Sequence, residues 1–392
     1  MKHYPYLVLG GGMTADAAVR GIRELDASRP IGLIGAEPEP PYARPPLSKA
    51  LWKGEPLESV WRKTAEVGVD LHLGRRATTL EPAAKRVVDD RGESYTFDRL
   101  LIATGGRPRR LPSAGDQVIY FRTLEDYRRL RALADQGKRF AVIGGGFIGS
   151  EIAAALALQG CAVAMLFPDQ GIGGRLFPAD LAHFLVRYYR EQGVEVLPGQ
   201  KVTKVSADGS GVLLETESGL RRTVDAVVAG LGIEPNTELG AAAGLEVDDG
   251  LVVDEHLRTS HPDVFAAGDV ARFVAPALGE RVRVEHEDNA LTMGRAAGRA
   301  MAGDPAPYTH LPSFYSDLFD LGYEAVGAMD PRGETVADWK EPFREGVVYY
   351  LAEGRVRGVL LWNVWDQVDA ARALIEEPGP FSASDLMGRL PA

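Results

Sequence analysis

Phe-Ala-Val-Ile-Gly-Gly-Gly-Phe-Ile-Gly-Ser-Glu, residues 140–151, reads as a strand, a tight turn and the start of a helix. Phe140 to Ile143 is a short apolar run of the kind buried in a parallel sheet, and the Ala/Leu-rich run Ile152 to Leu158 is closed by Gly160 as a helix would be. Between them stands Gly144-x-Gly146-x-x-Gly149. The first glycine permits the turn, the second lets backbone approach a diphosphate, and the third lets helix and strand pack closely. The exposed N–H groups at the helix start then suit an anion. Cys161 to Phe167 reads as the next strand, and Asp169 follows where a carboxylate bonds a ribose hydroxyl.

The same pattern occurs earlier in the chain. Tyr6 to Leu9 is an apolar strand, Gly10-x-Gly12-x-x-Ala15 opens a helix reaching about Leu25, and Ile31 to Ile34 is a second strand with Glu37 just beyond it. Alanine at the third position is an accepted variant of the fingerprint. Two units imply two dinucleotides, and flavin with nicotinamide is the usual pair, because hydride passes from one ring to the other. Two copies of one nucleotide is the alternative.

The totals narrow the chemistry. A chain of 392 residues exceeds one ordinary core, and 45% hydrophobic with 25% charged residues is globular composition. A formal net charge of -11 argues against nonspecific binding to nucleic acid or anionic membrane. The one cysteine, Cys161, lies in an apolar run, so there is no CxxC pair, no four-cysteine cluster site and no disulfide framework. No metal-ligand spacing is present, no run of 18 apolar residues occurs, and no signal-peptide pattern opens the chain; a cytoplasmic protein is expected.

Tyr42-x-Arg44-Pro45-Pro46-Leu47-Ser48-Lys49 resembles the flavin-side loop of the FAD-dependent pyridine nucleotide-disulfide oxidoreductases of the ferredoxin and rubredoxin reductase type. The resemblance extends over nearly the whole chain. Ala103-Thr104-Gly105-Gly106 is similar to that family's ATG turn, Gly230 to Asn236 to its return crossover, and Val264 to Asp269 to its second flavin motif. The nearest likeness is to the apoptosis-inducing-factor-like NADH oxidoreductases, through Pro45 to Trp52, Leu166 to Asp169, Glu285-His286-x-Asp288, Gly322 to Ala325 and Leu361-Trp362-Asn363. The implied fold is α/β and glutathione-reductase-like. A discontinuous FAD domain would span residues 1–117 and 236–304, an inserted NAD(P)H domain 118–235, and an α+β C-terminal domain 305–392.

For FAD, the expected contacts are Gly10, Gly11, Gly12, Thr14 and Ala15 around the diphosphate, aided by Arg44, with Thr104 and Gly105 in the ATG turn. The resemblance adds Arg76 and Ala77 at the adenine end, Arg122, and Asp269 on the ribityl chain. The family's ribose-binding acid falls where this chain has Ala36, which leaves Glu37 as its substitute. The resemblance implies that Lys49 and Glu151 pair beside the isoalloxazine, where a lysine supplies positive charge as electron density collects on the ring; the alternative is that Glu151 only complements its helix N-terminus. The helix from about Asp288 would aim its positive end at the flavin.

For the nicotinamide, Gly144, Gly146 and Gly149 form the cradle and Phe147 is expected to stack in the site. The resemblance adds Ile148, Asp169, Arg175, Gly232, Glu285, His286, Tyr315, Glu324 and Asn363. Tyr315 stands where the family pattern has a tryptophan. Hydride transfer needs ring alignment rather than a general base, so His286 is expected to position. Asp169 favours NADH by repelling a 2′-phosphate, while Arg175 six positions on leaves NADP(H) open.

With one cysteine, electrons must leave from FAD directly. The expected acceptor is a small iron–sulfur protein such as a ferredoxin, or a quinone-like molecule. Arg107, Arg109 and Arg110, or Arg128, Arg129 and Arg131, are candidates for docking an acidic partner. The alternative from another class is a redox-responsive NADH-binding protein whose slow turnover serves a change of conformation or homodimerisation. An oxidase or peroxidase is a third reading.

Overall fold

The computed structural model describes residues 1–112, 115–209 and 211–391, and these form two compact units. The first contains Met1–Arg44, Leu57–Arg107 and Glu234–Pro312; the second contains Pro45–Pro56, Pro108–Ile233 and Ser313–Ala392. This division is coarser than the three parts expected from sequence, because the second unit holds both the inserted segment and the C-terminal sheet.

In the first unit, β1 (Lys2–Leu9), β2 (Ile31–Gly35), β3 (Asp70–Leu73) and β6 (Ser94–Ile102) are parallel in the order β3-β2-β1-β6. The strand Val264–Ala266 also pairs β6 in parallel. β4 (Ala77–Glu81) and β5 (Arg86–Asp89) extend the sheet antiparallel beyond β6. Leu7, Val8, Leu33, Leu100 and Leu101 are fully buried, as a parallel sheet covered on both faces requires. The helix Met13–Leu25 packs closely on Glu287–Met301. At Gly21, Gly294 and Gly298 an added Cβ would strike the facing helix's backbone, so small residues set that approach.

The second unit repeats the parallel theme in the order Glu195–Pro198, Val163–Phe167, Phe140–Ile143, Ala226–Ala229, Val118–Tyr120. The helix Phe147–Leu158 follows the central strand and buries Ile152 to Leu156. Its C-terminal part is an antiparallel sheet, Ser313–Leu318, Leu321–Gly327, Arg355–Trp362, Glu345–Ala352 and Glu334–Glu341 in spatial order, with the helix Val368–Glu376 on it. Trp362 lies fully buried there, stacked on Tyr323 with ring centroids 5.7 Å apart.

The loop Pro45–Pro56 leaves the first unit's sequence and packs in the second. Trp52 anchors it: its indole donates to the Leu47 carbonyl, its ring meets Tyr127 edge-on at 5.6 Å, and Arg131 lies over it. Lys49 is thereby held by an aromatic anchor three residues away. No helix among the described residues is long and apolar enough to cross a membrane.

Candidate active site

Each glycine turn is shaped by one close approach. Gly10 (φ +133) and Gly144 (φ +120) sit where an added Cβ would collide with the carbonyl oxygens of Ala103 and Gly230 respectively. A side chain there would be strained by conformation as well as by space. At Gly12 and Gly146 an added Cβ would meet nothing within 4 Å, so the backbone faces open space where the fingerprint places a diphosphate. Neither helix start has a side-chain cap: Gly12 and Gly146 are the N-caps and leave N–H groups to serve an anion. The residues of both turns therefore fit a dinucleotide.

The first unit gathers Gly10, Gly11, Gly12, Thr14, Ala15, Glu37, Arg44, Arg76, Ala77, Thr104, Gly105, Asp269, Glu285 and His286. Thr14 adjoins Gly268, beside Asp269 in the short turn Gly268–Val270. Thr104 donates to the Asn236 carbonyl at 2.9 Å and Asn236 Nδ2 returns a bond to the Thr104 carbonyl at 2.8 Å, lacing the ATG turn to the crossover. Arg283 donates to the Asp269 carbonyl at 3.3 Å and to Glu285 at 2.7 Å, joining two expected site residues. His286 is the N-cap of Glu287–Met301 through its backbone. Arg76 is exposed, and its N–H donates to Asp90.

The second unit gathers Lys49, Arg122, Gly144, Gly146, Phe147, Ile148, Gly149, Glu151, Asp169, Arg175, Gly232, Tyr315, Glu324 and Asn363. It contains a buried ion pair. Lys49 Nζ donates to Glu151 Oε1 at 2.7 Å, with the two side chains 11% and 3% exposed. Ser316 also donates to Oε1 at 2.6 Å, and Ser48 to Oε2 at 2.5 Å. Three donors surround one carboxylate, which is the inventory a buried anion needs. Burial first, then the Glu151 charge, pushes the phenols of Tyr189 and Tyr323 well above their usual range, so both stay neutral beside it. Lys49 also lies over the ring of Tyr315, 5.2 Å from its centroid.

Phe147 and Tyr315 are exposed, and Phe147 meets Phe314 edge-on at 5.4 Å. Tyr315 and Glu324 are cross-strand partners on one face of the C-terminal sheet. Burial raises the Glu324 carboxyl above its usual range against a bond from the Asp366 N–H, and its Oε2 is buried without a hydrogen-bond partner. Asn363 bonds backbone at both ends of its amide: Oδ1 accepts from the Gly322 N–H at 2.7 Å and Nδ2 donates to the Arg344 carbonyl at 2.9 Å. Asp169 and Arg175 face each other at 3.4 Å on the surface. Arg122, through its N–H, and Thr123 bond Asp126 at the start of the helix Leu124–Ala134.

Of the six arginines considered for docking, three have acidic neighbours, while Arg110 lies over the Tyr120 ring and Arg129 donates to the Asp116 carbonyl. Arg107 bonds Glu234 and Glu238, Arg128 meets Glu125, and Arg131 bonds Asp135. Sequence reading missed Ser48, Ser316, Tyr42 and Arg283 as members of the site. Ser48 lies inside the quoted loop motif, so its position was visible; its bond to a carboxylate 103 residues away was not.

The family profile described as pyridine nucleotide-disulphide oxidoreductase matches residues 4–294, and that of the mitochondrion-associated C-terminal part of apoptosis-inducing factor matches 337–377. The chain is 35% identical over 401 residues to the anthranilate 1,2-dioxygenase system ferredoxin–NAD(+) reductase component of Burkholderia cepacia, covering 98% of each. It is 29% identical to a putative mitochondrial apoptosis-inducing factor 1 of Drosophila melanogaster, matching 96% of this chain but only 64% of that longer protein. The putidaredoxin reductase–putidaredoxin covalent complex contains a chain superposing with a TM-score of 0.90 at 31% identity, covering 98% of this chain and 95% of that one.

Proposed function

Since the chain belongs to the pyridine nucleotide-disulphide oxidoreductase family, we propose that it is an FAD-dependent NADH oxidoreductase delivering electrons to a small iron–sulfur protein of the ferredoxin type. The observation that carries this reading is the pair of open glycine turns, one in each unit, together with the buried Lys49–Glu151 pair.

FAD, when bound, would supply the capacity to accept hydride from NADH and to release the electrons one at a time. The chain's residues hold and tune. Gly12 and the N–H groups that follow it receive the FAD diphosphate, and Gly146 and its successors receive that of NADH. Lys49, fixed by Glu151, Ser48 and Ser316, holds a positive charge of the kind that would favour electron density on a flavin. His286 and Phe147 position. Cys161 is the only cysteine, so no disulfide relays electrons. Asp169 selects NADH, with NADPH disfavoured by charge. A cytoplasmic location accompanies this reading, in keeping with a single cysteine and no disulfide framework.

The test is anaerobic reduction by NADH followed by cytochrome c reduction with and without added ferredoxin. Rapid flavin bleaching and ferredoxin-dependent turnover are expected; no bleaching, or turnover indifferent to ferredoxin, contradicts the assignment. The match over residues 337–377 favours a second reading, an NADH-responsive protein whose conformation or dimerisation follows its redox state. A change in solution mass on NADH addition, with slow reoxidation, would select it.

A further inference from the structure

Glu37 is the acid that sequence reading assigns to the FAD ribose, yet its carboxylate is already engaged at both oxygens. Arg44 Nη2 donates to Oε1 at 2.5 Å and the Tyr42 hydroxyl donates to Oε2 at 2.5 Å. Arg44 Nη1 closes the ring by donating to the Tyr42 hydroxyl at 3.3 Å, and the guanidinium lies 5.2 Å from the tyrosine ring centroid. Backbone fixes all three members. The Glu37 carbonyl accepts from the Gly74 N–H at 3.0 Å, Tyr42 bridges Trp61, and the Ala43 N–H donates to the Val60 carbonyl at 2.8 Å.

This clasp is tied to the first glycine turn. Arg62 and Thr64, just beyond the Tyr42–Trp61 bridge, donate to the fully buried Asp16 at 2.6 and 2.7 Å, and Asp16 lies in the first turn of Met13–Leu25. Burial works against the charge of Arg44, but Tyr42, Glu37 and then Asp269 outweigh it and raise its pKa further. Asp269 is therefore within electrostatic reach of Arg44, and its neighbour Gly268 adjoins Thr14. The clasp is thus linked to the first turn of Met13–Leu25 through Arg62, Thr64 and Asp16.

Turning Glu37 to a ribose would give up its ion pair with Arg44 and leave that guanidinium, only 23% exposed, without this carboxylate, in exchange for a bond from a neutral hydroxyl. Ala36, at the position the resemblance assigns to the ribose acid, offers only a methyl group. Resting on the reading that the first unit holds FAD, we propose that Glu37 is a positioning residue which holds Arg44 for the FAD diphosphate, and that the adenosine ribose is bound without a carboxylate.

The experiment strips the full-length protein of flavin and measures its affinity for FAD and for an FAD analogue whose adenosine lacks the 2′- and 3′-hydroxyls. Glu37→Gln should weaken both ligands by the same factor, about tenfold for one charge-assisted contact, while losing the hydroxyls should cost the unaltered protein under about threefold. In an Arg44→Ala background Glu37→Gln should add nothing further. A loss of about tenfold for the analogue in the unaltered protein, abolished by Glu37→Gln, would mean that Glu37 binds the ribose and would overturn the role. Unchanged affinity for FAD in Glu37→Gln would overturn it too. Tyr42→Phe, which removes only the hydroxyl bonded to Oε2, gives the same comparison should Glu37→Gln fail to fold. A protein that takes up neither flavin form would instead refute the FAD reading beneath it.

Discussion

At Gly10 and Gly144 the same collision with a carbonyl oxygen dictates glycine, but the two turns open into different surroundings. In the first unit the helix that follows is buried from Met13 to Val19 and covered by Glu287–Met301, with the Gly268–Val270 turn against Thr14. In the second, Gly146 and Phe147 are exposed, and Asp169 with Arg175 lies on the surface. The first turn's helix is packed under later chain and the acid after its second strand is locked in a clasp; the second turn's helix start and its acid are exposed. The contrast matches a nucleotide that stays and one that exchanges.

The largest effects should come from the glycines themselves. Gly10→Ala combines a steric clash with an unfavourable φ, and a loss of flavin affinity of roughly 100-fold or more is expected, read as pale protein after gel filtration. Gly144→Ala should leave the yellow colour and raise the NADH concentration needed for bleaching by a similar factor. Equal flavin loss in both variants would erase the distinction between the turns.

Next in size is the buried pair. Glu151→Ala leaves Lys49 and two hydroxyls without their acceptor, and about 3 kcal/mol of stability should be lost on urea unfolding. Glu151→Gln, which keeps the acceptor oxygen but not the charge, should be milder in stability yet slow flavin reduction by NADH. The exposed acid of the second cradle gives a smaller change: Asp169→Ala releases Arg175, and the ratio of kcat/KM for NADPH to that for NADH should rise about tenfold.

The smallest is a matter of pH in the second unit. Arg139 holds the Asp225 carboxyl down at about 2, by side-chain and backbone bonds. A depressed carboxyl stabilises the fold above its unfolded pKa of about 4, and that contribution disappears as pH falls through about 2. Asp225→Asn should therefore cost about 1 kcal/mol or less at pH 7 and nothing near the acid limit, with flavin retention unaffected. Thermal melts across that range check it.

Sequence carried the local parts of this site and little of its closure. Gly10, Gly12, Gly144 and Gly146 were legible because a turn of fixed spacing between strand and helix leaves few alternatives. The partner of Lys49 came from family resemblance, since spacing alone cannot bring residue 49 to residue 151. Ser316 was hidden because strand alternation does not reveal which buried hydroxyl will meet a carboxylate. Glu37 was legible as an acid after a strand, but its clasp depends on how the loop to Arg44 folds back. Asn363 was legible as part of a motif, but its amide bonds to Gly322 and Arg344, across the sheet, were not.

The contrast between the cradles is tested most directly by the visible spectrum of the purified protein, taken after exhaustive gel filtration and again after anaerobic addition of NADH. Flavin absorbance that survives filtration in fixed ratio to protein, bleaches with NADH and returns once oxidised nicotinamide is washed away is the predicted result. A colourless protein, or a yellow one that NADH leaves unchanged, would contradict the account.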